Sequence, residues 1–418
     1  MAKPGRKAFA VVGRQRHQNV QLAFQLRAPR HWLLLVPTQY PNKYRSARVG
    51  EPLAPLSGIK VLDLTRVLAG PLSTMALGDL GARVIKVERP GIGDETRGWG
   101  PPFDASGESA YFLAVNRNKI GIALDLDLPA DRDVLLRLLR EADVLVENFR
   151  PGTLERRGIT PLELLATHPR LIWCRLTGFG PDRDRPGYDA VVQAESGWMA
   201  ITGEPDGTPM KIGVALADVC AGKDAAIAIL ACLASRVGRP APGERWLTVS
   251  LAHSATAALV NVAQNALVTG REPSRWGNAH PNLVPYQLFE AKDRAMVLAV
   301  GNDGQWQACA RALDRLDLAA DARYATNAGR VEHRAELVAT LSGTLKARQA
   351  DEWLERLLQH GVPAGVVRSV SEALGDVQAD PRTGIAPLSP GTVRLPPPRL
   401  DQHGTLVRAR GWRAFDEL

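Results

Sequence analysis

Asp218 is the residue with the strongest claim to chemistry. It stands in the run G-V-A-L-A-D-V-C-A-G, followed by Lys223-Asp224 and a helical stretch over 225–236. That spacing puts a carboxylate at the mouth of a helix, among Gly213, Ala215, Ala217 and Gly222. Small neighbours let a bulky ligand approach the carboxyl. Free N–H groups and the macrodipole at the helix start favour its ionised form. An ionised, approachable Asp is competent as a nucleophile toward an activated acyl group. The competing role is structural, since an Asp before a helix commonly caps it. Cys220, two residues away, reads as a small packing residue.

The elements that must hold such a site alternate in type. Apolar, strand-like runs fall at 59–64, 83–87, 144–146, 171–176 and 247–251, with helical stretches at 72–80, 130–141 and 161–167. Strands alternating with helices predict an α/β fold, a parallel sheet with helices on both faces. A long small-residue helix is expected over 252–267. The pattern then changes. Runs at 286–291 and 295–300 flank Lys292-Asp293-Arg294 and read as a hairpin, with helices at 304–313, 334–347 and 351–359. A smaller β/α domain from about residue 275 accounts for this change.

Composition bounds the rest. A chain of 418 residues favours two domains, and 45% hydrophobic with 23% charged residues is ordinary for a soluble globular protein. No apolar run reaches membrane-spanning length. The four cysteines, at 174, 220, 232 and 309, show no paired spacing, so neither a zinc site nor a disulfide framework is predicted. The net charge of +8 misleads. Residues 1–50 hold ten Lys/Arg and no Asp/Glu, which leaves the remaining chain at −2. Nucleic-acid binding by the body is therefore not expected, nor is membrane association. The basic stretch reads as a dispensable, disordered extension over 1–54; a transit peptide is the alternative. The compartment is expected to be the cytoplasm, or the mitochondrion if that alternative holds.

The first strand–loop–helix–strand unit resembles a dinucleotide-binding opening, ending in Glu88. The glycine fingerprint fails, because the loop reads R-V-L-A-G-P with a single Gly. Arg89 follows the acid, and a guanidinium suits phosphate better than a free ribose hydroxyl. The expected ligand is a phosphorylated nucleotide held differently from NAD.

Several segments together are similar to one family. They are D-L-T-R-V-L-A-G-P (63–71), G-D-L-G-A-R-V-I-K-V-E-R-P (78–90), G-D-E-T-R (93–97), N-R-N-K (116–119), V-E-N-F-R-P-G (146–152), G-Y-D-A-V-V-Q-A (187–194) and L-A-D (216–218). In order and spacing the chain resembles class III CoA-transferases, the CaiB/BaiF or formyl-CoA transferase family, from about residue 55 to 375. R-G-W-G-P-P-F (97–103) and R-W-G-N-A-H-P-N-L-V-P-Y-Q (275–287) most resemble the branch moving CoA from succinyl-CoA to glutarate, malate or citramalate.

The resemblance implies that Asp218 attacks an acyl-CoA thioester, through mixed-anhydride and aspartyl-CoA thioester intermediates. It implies coenzyme A as co-substrate, no permanently bound cofactor and no metal. It places CoA contacts at Val67, Ala69, Arg89, Leu124, Asn148, Phe149 and Arg156. Arg89 and Arg156 can pair with nucleotide phosphates, and Phe149 can pack on adenine. Oxyanion donors are expected from Gly and Ala N–H groups near Asp218 or from a loop near Gly277. It further implies an interlocked homodimer. Its domains would be a Rossmann-like CoA-binding domain over 55–250, a helical linker over 251–275, a small domain over 276–348, and a segment over 349–418 returning to the large domain.

Tyr188 matches the family's tyrosine near the reacting carbonyl, where related acyl-CoA racemases carry His. A tyrosine with an ordinary pKa near 10 is a poor base at neutral pH, which argues for transfer over racemisation. Leu68 stands where the formyl-CoA branch has Gln, which leaves room for a larger acyl group. A family Lys before the tyrosine is Pro186 here, and the ending is reduced to P-P-P-R-L-D-Q-H-G (396–404). A remote carboxylate on the acyl group needs a cation, and Arg97 and Arg275 are the expected partners. A racemase-like enzyme and a CoA-binding protein without turnover are the rival readings. The intact L-A-D segment counts against the second.

Overall fold

Six strands carry apolar residues on both sides at most of their inner positions, because both faces of the sheet they form are covered. They are β1 (Lys60–Asp63), β2 (Arg83–Glu88), β3 (Lys119–Ala123), β4 (Val144–Glu147), β5 (Ile172–Thr177) and β6 (Trp246–Ser250). In the computed structural model, which describes residues 54–238 and 240–418, they pair in parallel in the order β3-β2-β1-β4-β5-β6. The α/β expectation is borne out. The basic extension lies outside the described residues, apart from Ala54. The cores on the two faces are separate. Helices Ala69–Asp79 and Leu216–Ala234 cover one face, and helix Pro129–Glu141 with the C-terminal residues Val407 and Trp412 covers the other.

The order in which strands are added to the sheet reverses between β1 and β4. In such sheets ligands bind beyond the carboxyl ends of the strands at that switch point. The loops after β1, β2 and β4 carry Val67, Arg89 and Asn148.

The hairpin is present as antiparallel β7 (Tyr286–Glu290) and β8 (Ala295–Ala299). A third strand, β9 (Ala364–Val366), pairs with β8. The small-domain core accordingly includes Trp353, Leu357 and Val362. Helix Ala350–Gln359, just past the expected boundary at 348, turns its amphipathic face onto this core. Further along, the chain packs back on the surroundings of the six-stranded sheet. Arg117 donates to the carbonyls of Thr383 (2.8 Å) and Ile385 (2.7 Å), and Asn118 donates to that of Thr392 (2.8 Å). Part of the N-R-N-K segment is thus a clasp on the returning chain. The helix expected over 252–267 is two helices, Leu251–Ala257 and Val260–Thr269, broken where Val260 takes φ +43°.

Candidate active site

Helix Leu216–Ala234 is rich in alanine, so it packs closely on helix Ala69–Asp79. Gly222 marks the contact, since a Cβ there would lie 2.6 Å from the Ala69 carbonyl oxygen. This approach brings the first turn of one helix beside the first residues of the other. Asp218 lies in that first turn, 8% exposed. The helix therefore starts earlier than its apolar run indicates.

Asp218 is not the cap. No N-cap side chain closes the helix, and Asp189 Oδ1 accepts from the N–H groups of Ala217 (2.8 Å) and Asp218 (3.2 Å) instead. Asp189 lies one turn before Gln193 on helix Asp189–Glu195, and Gln193 Nε2 donates to its Oδ2 at 2.6 Å. Gln193 Oε1 in turn accepts from Ile212 N–H at 2.9 Å. Sequence reasoning quoted this segment but singled out only Tyr188. The i, i+4 spacing of Asp189 and Gln193 was the available signal.

Burial and the Asp189 charge push the Asp218 carboxyl up to about 7. The expectation that the helix terminus favours the ionised form is corrected. Desolvation and a like charge outweigh the helix field, and Asp189 occupies the N–H groups that would have carried that effect. Burial, then the charges of Asp218 and Asp189, push the Tyr111 phenol up to about 12. Tyr111 packs edge-on against Trp99, with centroids 5.1 Å apart. Trp99 of the R-G-W-G-P-P-F segment thus packs on the phenol that feels the Asp218 charge.

Asp218 opens into a cavity that also has Val67, Leu68, Ala69, Asn148, Phe149 and Tyr188 in its lining. A second cavity is lined by Arg89, Leu124, Phe149 and Arg156. Arg66, Phe149 and Arg150 line both, and the Arg66 guanidinium lies 5.6 Å from the Phe149 ring centre. Arg66 was not singled out from sequence. The two cavities divide the sequence-derived residues into two groups that meet at Phe149. Arg89 and Arg156 are in the second, remote from Asp218 in the lining. The Asn148 side chain has a further task, accepting from Arg66 N–H (3.0 Å) and donating to the Arg66 carbonyl (2.8 Å).

Arg97 and Arg275, the expected partners of a remote carboxylate, line neither cavity. Arg97 donates to both oxygens of Glu88 (2.8 and 2.7 Å), to Glu108 (2.8 Å) and to the Pro398 carbonyl (3.2 Å). It also lies 3.6 Å from the Phe112 ring centre. Arg275 donates to the carbonyls of Ala200, Glu204 and Gly207. Gly277 N–H is likewise occupied by the Gly203 carbonyl at 3.1 Å. A carboxylate ligand would have to displace these partners.

Comparisons with known proteins identify the family. A sequence model described as CoA-transferase family III matches residues 56–411. The succinate–glutarate CoA-transferase of Agrobacterium fabrum is 45% identical over 337 residues, 78% of this chain and 84% of its own length. The mouse succinyl-CoA:glutarate CoA-transferase is 43% identical over 331 residues, 78% of this chain and 75% of its own. A crystal structure of a CAIB/BAIF family protein from Brucella suis matches with a TM-score of 0.75 at 40% identity, over 85% of this chain and 98% of that one. The chain belongs to CoA-transferase family III: it is a class III CoA-transferase, an enzyme whose co-substrate is a CoA thioester.

Proposed function

We propose that this enzyme moves CoA from succinyl-CoA to a short dicarboxylate such as glutarate, with Asp218 as the nucleophile. The carrying observation is Asp218 itself, a buried carboxylate opening into a cavity that continues, past Phe149, into an arginine-bearing one. An Asp218 oxygen attacks the thioester carbonyl. The C–S bond breaks, CoA leaves as thiolate, and a mixed anhydride remains. The thiolate attacks the Asp218 carboxyl carbon and releases the donor acid, leaving an aspartyl-CoA thioester. The acceptor carboxylate then attacks that carbon and expels the thiolate, which takes the acyl group of the new anhydride and frees Asp218. The nucleophiles are anions, so this sequence asks no side chain for a proton.

In this reading Arg89 and Arg156 meet the nucleotide phosphates and Phe149 meets the adenine. Leu124, Val67 and Ala69 line the path, and Leu68 and Tyr188 face the acyl group. Arg150 and Arg183, in the lining of the Asp218 cavity, replace Arg97 and Arg275 as partners for a remote carboxylate. A second copy of the chain covers helix Val260–Thr269, which buries no residue and leaves Val260, Leu267 and Val268 at least 69% exposed. Asp218→Ala is expected to abolish transfer and retain CoA binding. Mass spectrometry after incubation of the wild type with succinyl-CoA should find CoA joined to the peptide bearing Asp218. Turnover by the Ala variant would refute the nucleophile.

A further inference from the structure

The loop joining β1 to helix Ala69–Asp79 has its backbone held by side chains at one residue after another. Thr65 N–H donates to Asp63 Oδ1 at 2.9 Å, and the Thr65 carbonyl accepts from Lys86 Nζ at 2.9 Å. Arg66 gives both its backbone groups to the Asn148 amide. Val67 N–H donates to Asp94 Oδ1 at 3.2 Å. Lys86 and Asp94 are themselves paired at 3.0 Å, and both side chains are wholly inaccessible to solvent.

The clamped backbone is in an unusual state. Val67 has φ +70°, a left-handed conformation that β-branched residues avoid. Such strain persists only where the surroundings over-determine it. Here it redirects the chain so that Val67, Leu68 and Ala69 all line the Asp218 cavity. The packing below is equally tight, since a Cβ on Gly70 would fall 2.4 Å from Thr65 Cβ. Two apolar side chains could fill the space of Lys86 and Asp94 without desolvating two charges. They could not hold the Thr65 carbonyl or the Val67 N–H.

We propose that Lys86 and Asp94 are positioning residues for CoA transfer: their buried ion pair locks Val67 in its left-handed conformation and so keeps the first loop shaped for the acyl-CoA. The inference rests on reading this cavity as the acyl-CoA site. Without the lock the loop relaxes toward negative φ at Val67. The binding-competent fraction falls, and the apparent dissociation constant rises by the inverse of that fraction.

The test is a double-mutant cycle. Lys86→Met with Asp94→Leu removes both charges together, so neither is left buried alone, and takes away both the acceptor of the Val67 N–H and the donor to the Thr65 carbonyl. It should raise the dissociation constant of succinyl-CoA, measured by calorimetry, by about tenfold. The KM of the acceptor acid should change much less. Amide hydrogen exchange at residues 65–67 should quicken. In a Val67→Gly background the same pair of changes should cost no more than about twofold, because glycine adopts positive φ unaided. Equal factors in the two backgrounds, or unchanged affinity in the folded double variant, would overturn the proposal. If the double variant does not fold, Lys86→Gln with Asp94→Leu, which keeps a donor on the Thr65 side and still removes the acceptor of the Val67 N–H, supplies the same comparison. Failure of the underlying reading looks different: Asp218→Ala would then keep its turnover, whatever the cycle shows.

Discussion

Replacing Asp218 by Asn should inactivate the enzyme and stabilise it, and the gain should depend on pH. The Asp218 carboxyl has its ordinary value, 3.8, in the unfolded chain and about 7 in the folded one. Below about 4 both states hold the proton. Between 4 and 7 the unfolded chain ionises while the folded protein resists, so folding loses free energy as pH rises. Above 7 the penalty is complete. Each pKa unit is about 1.4 kcal/mol, so a shift of about three units sets a ceiling of roughly 4 kcal/mol. Asn carries no charge and escapes this penalty, although its buried amide offsets part of the gain. Urea unfolding of wild type and variant at pH 8 and pH 5 reads the difference. The gain should be about 1–4 kcal/mol at pH 8 and should shrink by roughly 2–3 kcal/mol at pH 5. A gain of equal size at both pH values, or a loss at pH 8, would refute the claim that Asp218 is held against its charge.

The same electrostatics predict the pH profile. kcat/KM for the acyl-CoA should rise with pH through about 7, as Asp218 ionises. Asp189→Asn removes the neighbouring negative charge while leaving an oxygen for the Ala217 and Asp218 N–H groups, so the limb should move to lower pH; an unmoved limb would show that burial alone sets it. Arg97→Met should lower stability by about 3–5 kcal/mol, because it strands Glu88 and Glu108, and should impair dicarboxylate and monocarboxylate acceptors alike. Selective loss of dicarboxylates would restore Arg97 as a substrate partner. Light scattering should give the mass of a dimer, and a monomer would leave the exposed face of helix Val260–Thr269 without its proposed cover.

Much of the chemistry was legible from local order. Asp218 was picked out from residue type and order, and Val67, Leu68, Ala69, Asn148 and Phe149 from the family resemblance; the fold brings them to one cavity. The alternation of strands and helices was legible because a fully covered parallel sheet writes its strands as apolar runs. β3 was missed for the opposite reason. It opens on N-R-N-K, whose charged and amide groups look solvated but are buried and paired in the fold. For Arg97 and Arg275 the protein partners were not legible, because a guanidinium in a marker segment looks the same whether its partner is a substrate, a carboxylate or a backbone carbonyl.

The sequence by itself determined the α/β class and the family and singled out Asp218 as the candidate carboxylate, since each depends on residue order and on periodicity. Only the tertiary structure decided the state of that carboxylate. Asp189 lies 29 residues away in the chain, yet it both caps the Asp218 helix and raises the Asp218 pKa. Only the fold paired Lys86 with Asp94 beneath the first loop and closed Arg97 onto Glu88. The physical reason is that charge is read at a distance of a few ångströms in a dry interior, where the neighbours that matter are those brought close by packing.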